Sequence, residues 1–192
     1  LIRQQPTLGE MLSTLVGVNA SYYGPNASRP VIRGFDGDRI RILQNGVGLL
    51  DASATSVDHA VALETLTTKR LEVVRGPGTL LYGPNAIGGV VNVIDGRIPF
   101  EAPVGISGAV DARYASPASE RAFAGAVDVA LESGLAFHVD GFTRKTSDLR
   151  IPDYARSARL REIDPLPPDE DEPRGRLPNS ASDSDGGAFG LA

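Results

Sequence analysis

Arg70 to Asp95 reads RLEVVRGPGTLLYGPNAIGGVVNVID, and the reading of this stretch decides the fold. It opens on an apolar run, Leu71 to Val74, and closes on another, Val90 to Ile94; each has the length and composition of a buried strand. Between them stand Gly76, Gly78, Gly83, Gly88 and Gly89 with Pro77 and Pro84. Glycine admits positive φ and close backbone approach, and proline removes a ladder donor. The stretch therefore predicts two strands joined by a compact, sharply folded connector, with Thr79 to Tyr82 as one helical turn. Phosphate binding fails on specific residues. A P-loop needs Lys after its last glycine, where this chain has Val90 after Gly88-Gly89. A dinucleotide fingerprint needs G-x-G-x-x-G, and after Gly76-Pro77-Gly78 the next glycine comes only at Gly83.

Working outward towards the N-terminus, Arg39 to Leu50 reads as a β-hairpin. Ile40 and Ile42 share one face and Asn45-Gly46 is a favoured two-residue turn. Thr7-Leu8-Gly9-Glu10 is a capping box starting a helix with Leu8, Met11, Leu12 and Leu15 on one face, which Gly17 is placed to stop. Val18 to Tyr23 suits a short strand before the turn residues Gly24-Pro25-Asn26. The first half is thus an α+β pattern of several short strands, one helix and long connectors.

Past Pro99 the period changes to two. Ile106, Gly108, Val110, Ala112 and Tyr114 alternate with small or polar residues, as do Phe123, Gly125, Val127, Val129 and Leu131, then Leu135, Phe137 and Val139. Such runs have the dyad pattern of outer-membrane barrel strands, although a soluble sandwich alternates in the same way. Ser116 to Glu120 and Glu132-Ser133-Gly134 separate them. Residues 150–185 read as a long polar connector with six acidic side chains between Glu162 and Glu172, and a fourth strand is expected from Gly187.

The motifs E-V-V-R-G-P and L-Y-G-x-x-A-I-G-G-V-V-N-V-I, with Val31-Ile32-Arg33-Gly34-Phe35 and Ile42-Leu43-Gln44-Asn45-Gly46-Val47 upstream in the same order, resemble the plug domain of TonB-dependent outer-membrane receptors. The resemblance covers roughly residues 5 to 98 and rests on Gly34, Gly76, Pro77, Tyr82, Gly83, Gly88 and Gly89. It implies a plug domain over residues 1–98, a small mixed sheet with short helices. The first antiparallel strands of a transmembrane β-barrel would then occupy residues 99–192, inside the outer membrane of a Gram-negative cell and in contact with its lipid. It also implies TonB as a partner, through a segment expected upstream of Leu1 together with a leader, so that this chain is expected to be part of a longer one. Arg33 and Arg75, each at the end of an apolar strand, are equally at home on a solvated surface when read alone. The resemblance gives them ion pairs that hold the plug to barrel glutamates beyond residue 192.

Composition bounds the rest. With 19 Lys+Arg against 24 Asp+Glu the net charge is −5, which disfavours nucleic acid as a partner. The chain has no Cys and two His, so thiol, iron–sulfur and disulfide chemistry are out. No run approaches the roughly 18 apolar residues a membrane helix needs. Ser56 lies near His59 without a nucleophile elbow, so no enzyme is expected. Two functional classes stay open, an energy-coupled receptor and a binding or adhesion module without transport, and only the first accounts for the plug motifs. Asp58-His59 lies in a polar loop, and by itself such a pair is most simply loop surface. The wording from Arg29 to Gly48, with Asp58-His59-Ala60-Val61, resembles the ZnuD-like zinc-uptake subgroup. That resemblance implies Asp58 and His59 as plug ligands for zinc as the transported substrate, with no permanently bound cofactor. Imidazole nitrogen and carboxylate oxygen suit Zn²⁺, but two ligands hold it weakly. A ferric siderophore, haem or cobalamin is the alternative cargo. His138 is expected to face the barrel lumen as a filler and not as a ligand.

Overall fold

The computed structural model describes residues 5–50, 52–98 and 103–192. The plug begins with α1 (Leu8–Leu12), capped as expected: the Thr7 hydroxyl oxygen accepts from the Glu10 backbone N–H at 3.3 Å and its O–H donates to Glu10 Oε2 at 2.7 Å. The helix is shorter than the sequence pattern. It ends at Leu12, and Gly17 instead supplies a positive φ of 76° in the turn leading to β1 (Val18–Ala20). Strand β1 pairs antiparallel with β2 (Pro30–Ile32).

The central sheet runs β4 (Val47–Gly48), β3 (Ile40–Gln44), β6 (Gly89–Ile94), β5 (Arg70–Val74) in spatial order. Strands β3 and β4 form the expected hairpin around Asn45-Gly46, both with positive φ, at 51° and 82°. Strand β6 lies parallel to β3 and antiparallel to β5, which makes the sheet mixed. Its near-continuous apolar sequence matches its central place: Val90 and Val91 are fully buried, packed with Ile32, Ile40, Ile42, Leu8 and Leu12 or with Leu43 and Ala86. Strand β5 departs from the expectation of a buried strand. It is an edge strand, and Leu71, Val73 and Val74 are only half-buried because nothing in the sheet pairs beyond them.

The glycine-rich connector between β5 and β6 is two short 3₁₀ segments, Pro77–Tyr82 and Pro84–Ala86. Gly88 and Gly89 are required by contact. A Cβ on Gly88 would stand 2.4 Å from the Phe35 Cβ and one on Gly89 would stand 2.7 Å from the Ile32 Cδ1. The Ile32–Phe35 element thus packs directly on the end of the connector, so two motifs far apart in sequence form one joint.

The second sheet is wholly antiparallel and open, in the order β7 (Gly105–Ala115), β8 (Glu120–Ala130), β9 (Ala136–Thr146), β12 (Ser182–Leu191). The register places Val110 opposite Gly125 and Val127 opposite Val139 on one face, and Asp128 opposite His138 on the other. Strand β12 begins at Ser182, five residues earlier than the sequence reading, because Ser182 to Gly186 continue the ladder with Thr146 to Phe142. The connector before it is structured. Strand β10 (Leu149–Tyr154) pairs with β11 (Arg174–Leu177), with α2 (Ala158–Ile163) in the connection, and the guanidinium groups of Arg161 and Arg174 lie 3.9 and 4.9 Å from the centre of the Tyr154 ring. The domain boundary expected after residue 98 adjoins Pro99 to Ala102, which lie outside the described residues. Among the described residues no helix is long and apolar enough to cross a membrane.

Candidate functional site

The site residues read from the sequence fall in three places. Asp58 and His59 lie in the turn after a 3₁₀ segment at Ala52–Ala54. The buried Arg29 fixes the base of that loop: it donates to the Ser53 hydroxyl and to the carbonyls of Gly37 and Ile40, at 3.1 and 3.3 Å. Asp58 Oδ1 accepts from the Ser56 hydroxyl and lies 3.2 Å from His59 Nδ1, and both side chains are exposed. The hydrogen bonds from Ser56 and His59 hold the Asp58 carboxyl below its ordinary range. The pair is adjacent and exposed. Among the described residues no cluster of three or more His, Asp or Glu completes a metal shell.

Arg33 and Arg75 are brought together at a second place, the turn before β1. The Arg33 backbone N–H donates to Gly17 O at 3.0 Å, and Arg75 Nη1 donates to Val16 O at 2.6 Å. Arg33 has a positive φ of 51° and both arginines are exposed. Among the described residues neither forms an ion pair; the barrel glutamates implied by the resemblance would come from elsewhere.

The third place is the glycine signature, whose residues the packing above accounts for. Tyr82 packs against the cluster of Leu43, Ala86 and Val90, and its carbonyl accepts from Arg41 Nη1 at 2.8 Å. Gly34, Gly76 and Gly83 have φ between 81° and 90°, a region that side chains disfavour.

The contacts that join the two halves were not read from the sequence. Arg97 grips Asp140 of β9 with two hydrogen bonds, at 2.9 and 3.0 Å. Asp140 also faces His138 Nε2 at 3.0 Å, and His138 Nδ1 faces Asp128 of β8 at 2.6 Å. Lys69 of the plug reaches Asp128 at 3.4 Å. Arg97 itself is set by Asp95, which accepts from the Arg97 backbone N–H and from the side chains of Gln44 and Asn45. Burial pushes the Asp95 carboxyl up, but those three donors and the Arg97 charge together outweigh it, so its pKa lies below the ordinary value. A second knot centres on Arg144 of β9, which donates to Glu64, to the Pro6 carbonyl and to Thr65 Oγ1 of the plug and lies 3.7 Å from Glu120 of β8. A cavity of about 550 Å³ lies beside both knots, lined by Glu64, Asp95, Arg97, Arg144 and Gly187 among others. The signal in the sequence was the run of charged residues on the inward side of strands that are otherwise alanine-rich.

A mixed plug sheet closed by a glycine joint, followed by an open antiparallel sheet with its polar face against it, is the architecture of TonB-dependent receptors at their N-terminal end. Residues 2–90 match the family model described as the TonB-dependent receptor plug domain, and this part of the chain is such a domain. Over 94 residues the chain is 34% identical to the vitamin B12 transporter BtuB of Vibrio vulnificus, covering 47% of this chain and 15% of that protein. In fold it is similar to a mutant of the ferric enterobactin receptor PfeA of Pseudomonas aeruginosa, with a TM-score of 0.60 at 21% identity over 79% of this chain and 25% of that one. The copper transporter OprC gives a TM-score of 0.61 at 23% identity, over 75% of this chain and 22% of that one. The chain therefore spans a small part of each relative's length. The named relatives are transporters and receptors, not enzymes.

Proposed function

We propose that this chain is the plug and first barrel strands of a TonB-dependent outer-membrane receptor that takes up a scarce metal, with zinc as the substrate and Asp58 and His59 as its plug ligands. One observation carries the receptor reading: on the inner face of β8 and β9 the side chains of Glu120, Ala122, Ala124, His138, Asp140 and Arg144 are buried, while Ile106, Val110, Tyr114, Phe123, Val127, Val139 and Phe189 stay exposed on the outer face of the sheet. A sheet with charges inside and apolar side chains outside suits a barrel wall between lipid and a filled lumen. On this reading the remainder of the barrel covers Leu80, Leu81 and Ile87 of the plug, and TonB engages a segment upstream.

The zinc reading is supported by the exposed Asp58–His59 pair on a loop held by Arg29. The pair offers one imidazole and one carboxylate, and other loops of the receptor would complete a tetrahedral shell. Because imidazole must be neutral to bind, affinity falls in acid. A metal chelate is the second reading, favoured by the relatives named for cobalamin and enterobactin. Calorimetric titration of the intact receptor with zinc, wild type against Asp58→Ala with His59→Ala, separates them. Tight binding in the wild type that weakens at least tenfold in the double variant supports zinc. Equal binding in both, or none in either, removes zinc and leaves the chelate.

A further inference from the structure

We propose that the contact between the plug and β8, β9 and β12 is a fixed seam that stays closed during transport. This rests on the transport reading above.

The seam is a chain of polar contacts that crosses from the plug into the strands and back. In order it runs Lys69, Asp128, His138, Asp140, Arg97, Asp95, with a carboxylate between each nitrogen-bearing side chain and the next. A carboxylate oxygen stands at each ring nitrogen of His138. Asp140 is nearly inaccessible to water, so sliding the plug away would strip this buried carboxylate of the Arg97 guanidinium.

The backbone closes the same seam. A Cβ on Gly190 of β12 would fall 1.8 Å from the Arg97 carbonyl oxygen, so only glycine lets the plug's last segment lie against that strand. Arg144 ties the other end to Pro6 and to Glu64-Thr65, two stretches of the plug far apart in sequence. Asn26 adds a hydrogen bond to Ser182.

Two measurements on the intact receptor test this. In the first, urea is titrated in detergent and plug release is followed by protease accessibility. Asp140→Asn and Arg97→Gln are expected to release the plug at lower urea than wild type, whereas Arg174→Gln, in the exposed β10–β11 hairpin, releases it at the wild-type midpoint. Equal midpoints for all four proteins overturn the seam. In the second, Lys69→Cys with Asp128→Cys is bridged by a short bis-thiosulfonate, which is specific within this cysteine-free sequence. Energised uptake of zinc or cyanocobalamin by the bridged protein is expected to stay within twofold of its reduced form. Uptake lost on bridging and restored by reductant overturns the proposal. If wild type takes up neither probe, the transport reading fails for those cargoes and the urea series alone decides the seam.

Discussion

In the plug sheet the side chains hidden from water include Ile40, Ile42, Leu43, Val90, Val91 and Val93; in the strand sheet they include Glu120, Ala122, Ala124, His138, Asp140 and Arg144. The two sheets of one chain use opposite sides of the same chemistry. The plug is an ordinary domain, stabilised by apolar burial between its sheet, α1 and β2. The strand sheet turns its apolar residues outward and buries charge. Its small inner residues matter as much as its charged ones, since alanines on β8 leave room for the plug to approach and for Arg97 and Arg144 to reach their partners. The difference teaches where each half draws its stability: the plug from its own core, the strands from what lies on either side of them.

The comparison is broken most directly at Arg144. Replacing it with Met leaves Glu64 without its cation and is expected to cost about 3–5 kcal/mol, the usual penalty for removing one partner of a buried pair. Urea unfolding of the intact receptor measures it. Adding Glu64→Gln to Arg144→Met is expected to recover most of that loss, because the uncompensated charge has then gone while Glu120 keeps its pair with Arg113. A double variant no better than the single one would mean that packing of the Arg144 stem, and not charge, holds this end.

A second substitution addresses the outer face. Val127 of β8 is about half exposed and sits beside Val139 in the apolar band. Val127→Arg is expected to destabilise the receptor in lipid bilayers by roughly 2–4 kcal/mol, as for a basic residue near the bilayer midplane. The same change should have little effect if that face meets water. Reversible unfolding in bilayers of defined lipid distinguishes the two, and an unperturbed variant would return the strand sheet to the soluble-sandwich alternative.

Much of this architecture was legible because local rules agree with the fold. Asn45-Gly46 names its turn, Thr7 and Glu10 name a helix start, and the alternation from Ile106 to Tyr114 names a one-sided strand. What escaped the sequence was set by partners far along the chain. Strand β5 has the composition of a buried strand but ends a sheet, and composition does not state which strands pair. The acidic connector looked like solvated loop because its ordering comes from Arg161 and Arg174 against Tyr154, contacts across a hairpin and not a periodic pattern. The seam was hidden for the same reason. His138 was readable as an inward residue, yet its neighbours Asp140 and Asp128 acquire meaning only when Arg97 and Lys69 arrive from the plug. The glycine signature was legible as a motif, while its cause, the seating of Phe35 and Ile32 on Gly88 and Gly89, needed coordinates.

The smallest effect belongs to Asp95, where the plug's own hairpin meets the seam. Its folded pKa lies below the ordinary 3.8, since the donors from Arg97, Asn45 and Gln44 and the Arg97 charge outweigh the effect of burial. A depressed carboxyl means that the unfolded chain binds the proton more readily than the folded one. The stabilisation is therefore fully present above the unfolded value and is lost as pH falls through the folded one. Asp95→Asn gives up that contribution at neutral pH, so wild type is expected to be the more stable protein there. The gap should close progressively below pH 3.8 as Asp95 takes up its proton. Urea midpoints for both proteins across that range check the sign. A gap that widened in acid would show that burial dominates at Asp95 after all, and that the hairpin presents Arg97 to Asp140 by packing and not through this carboxylate.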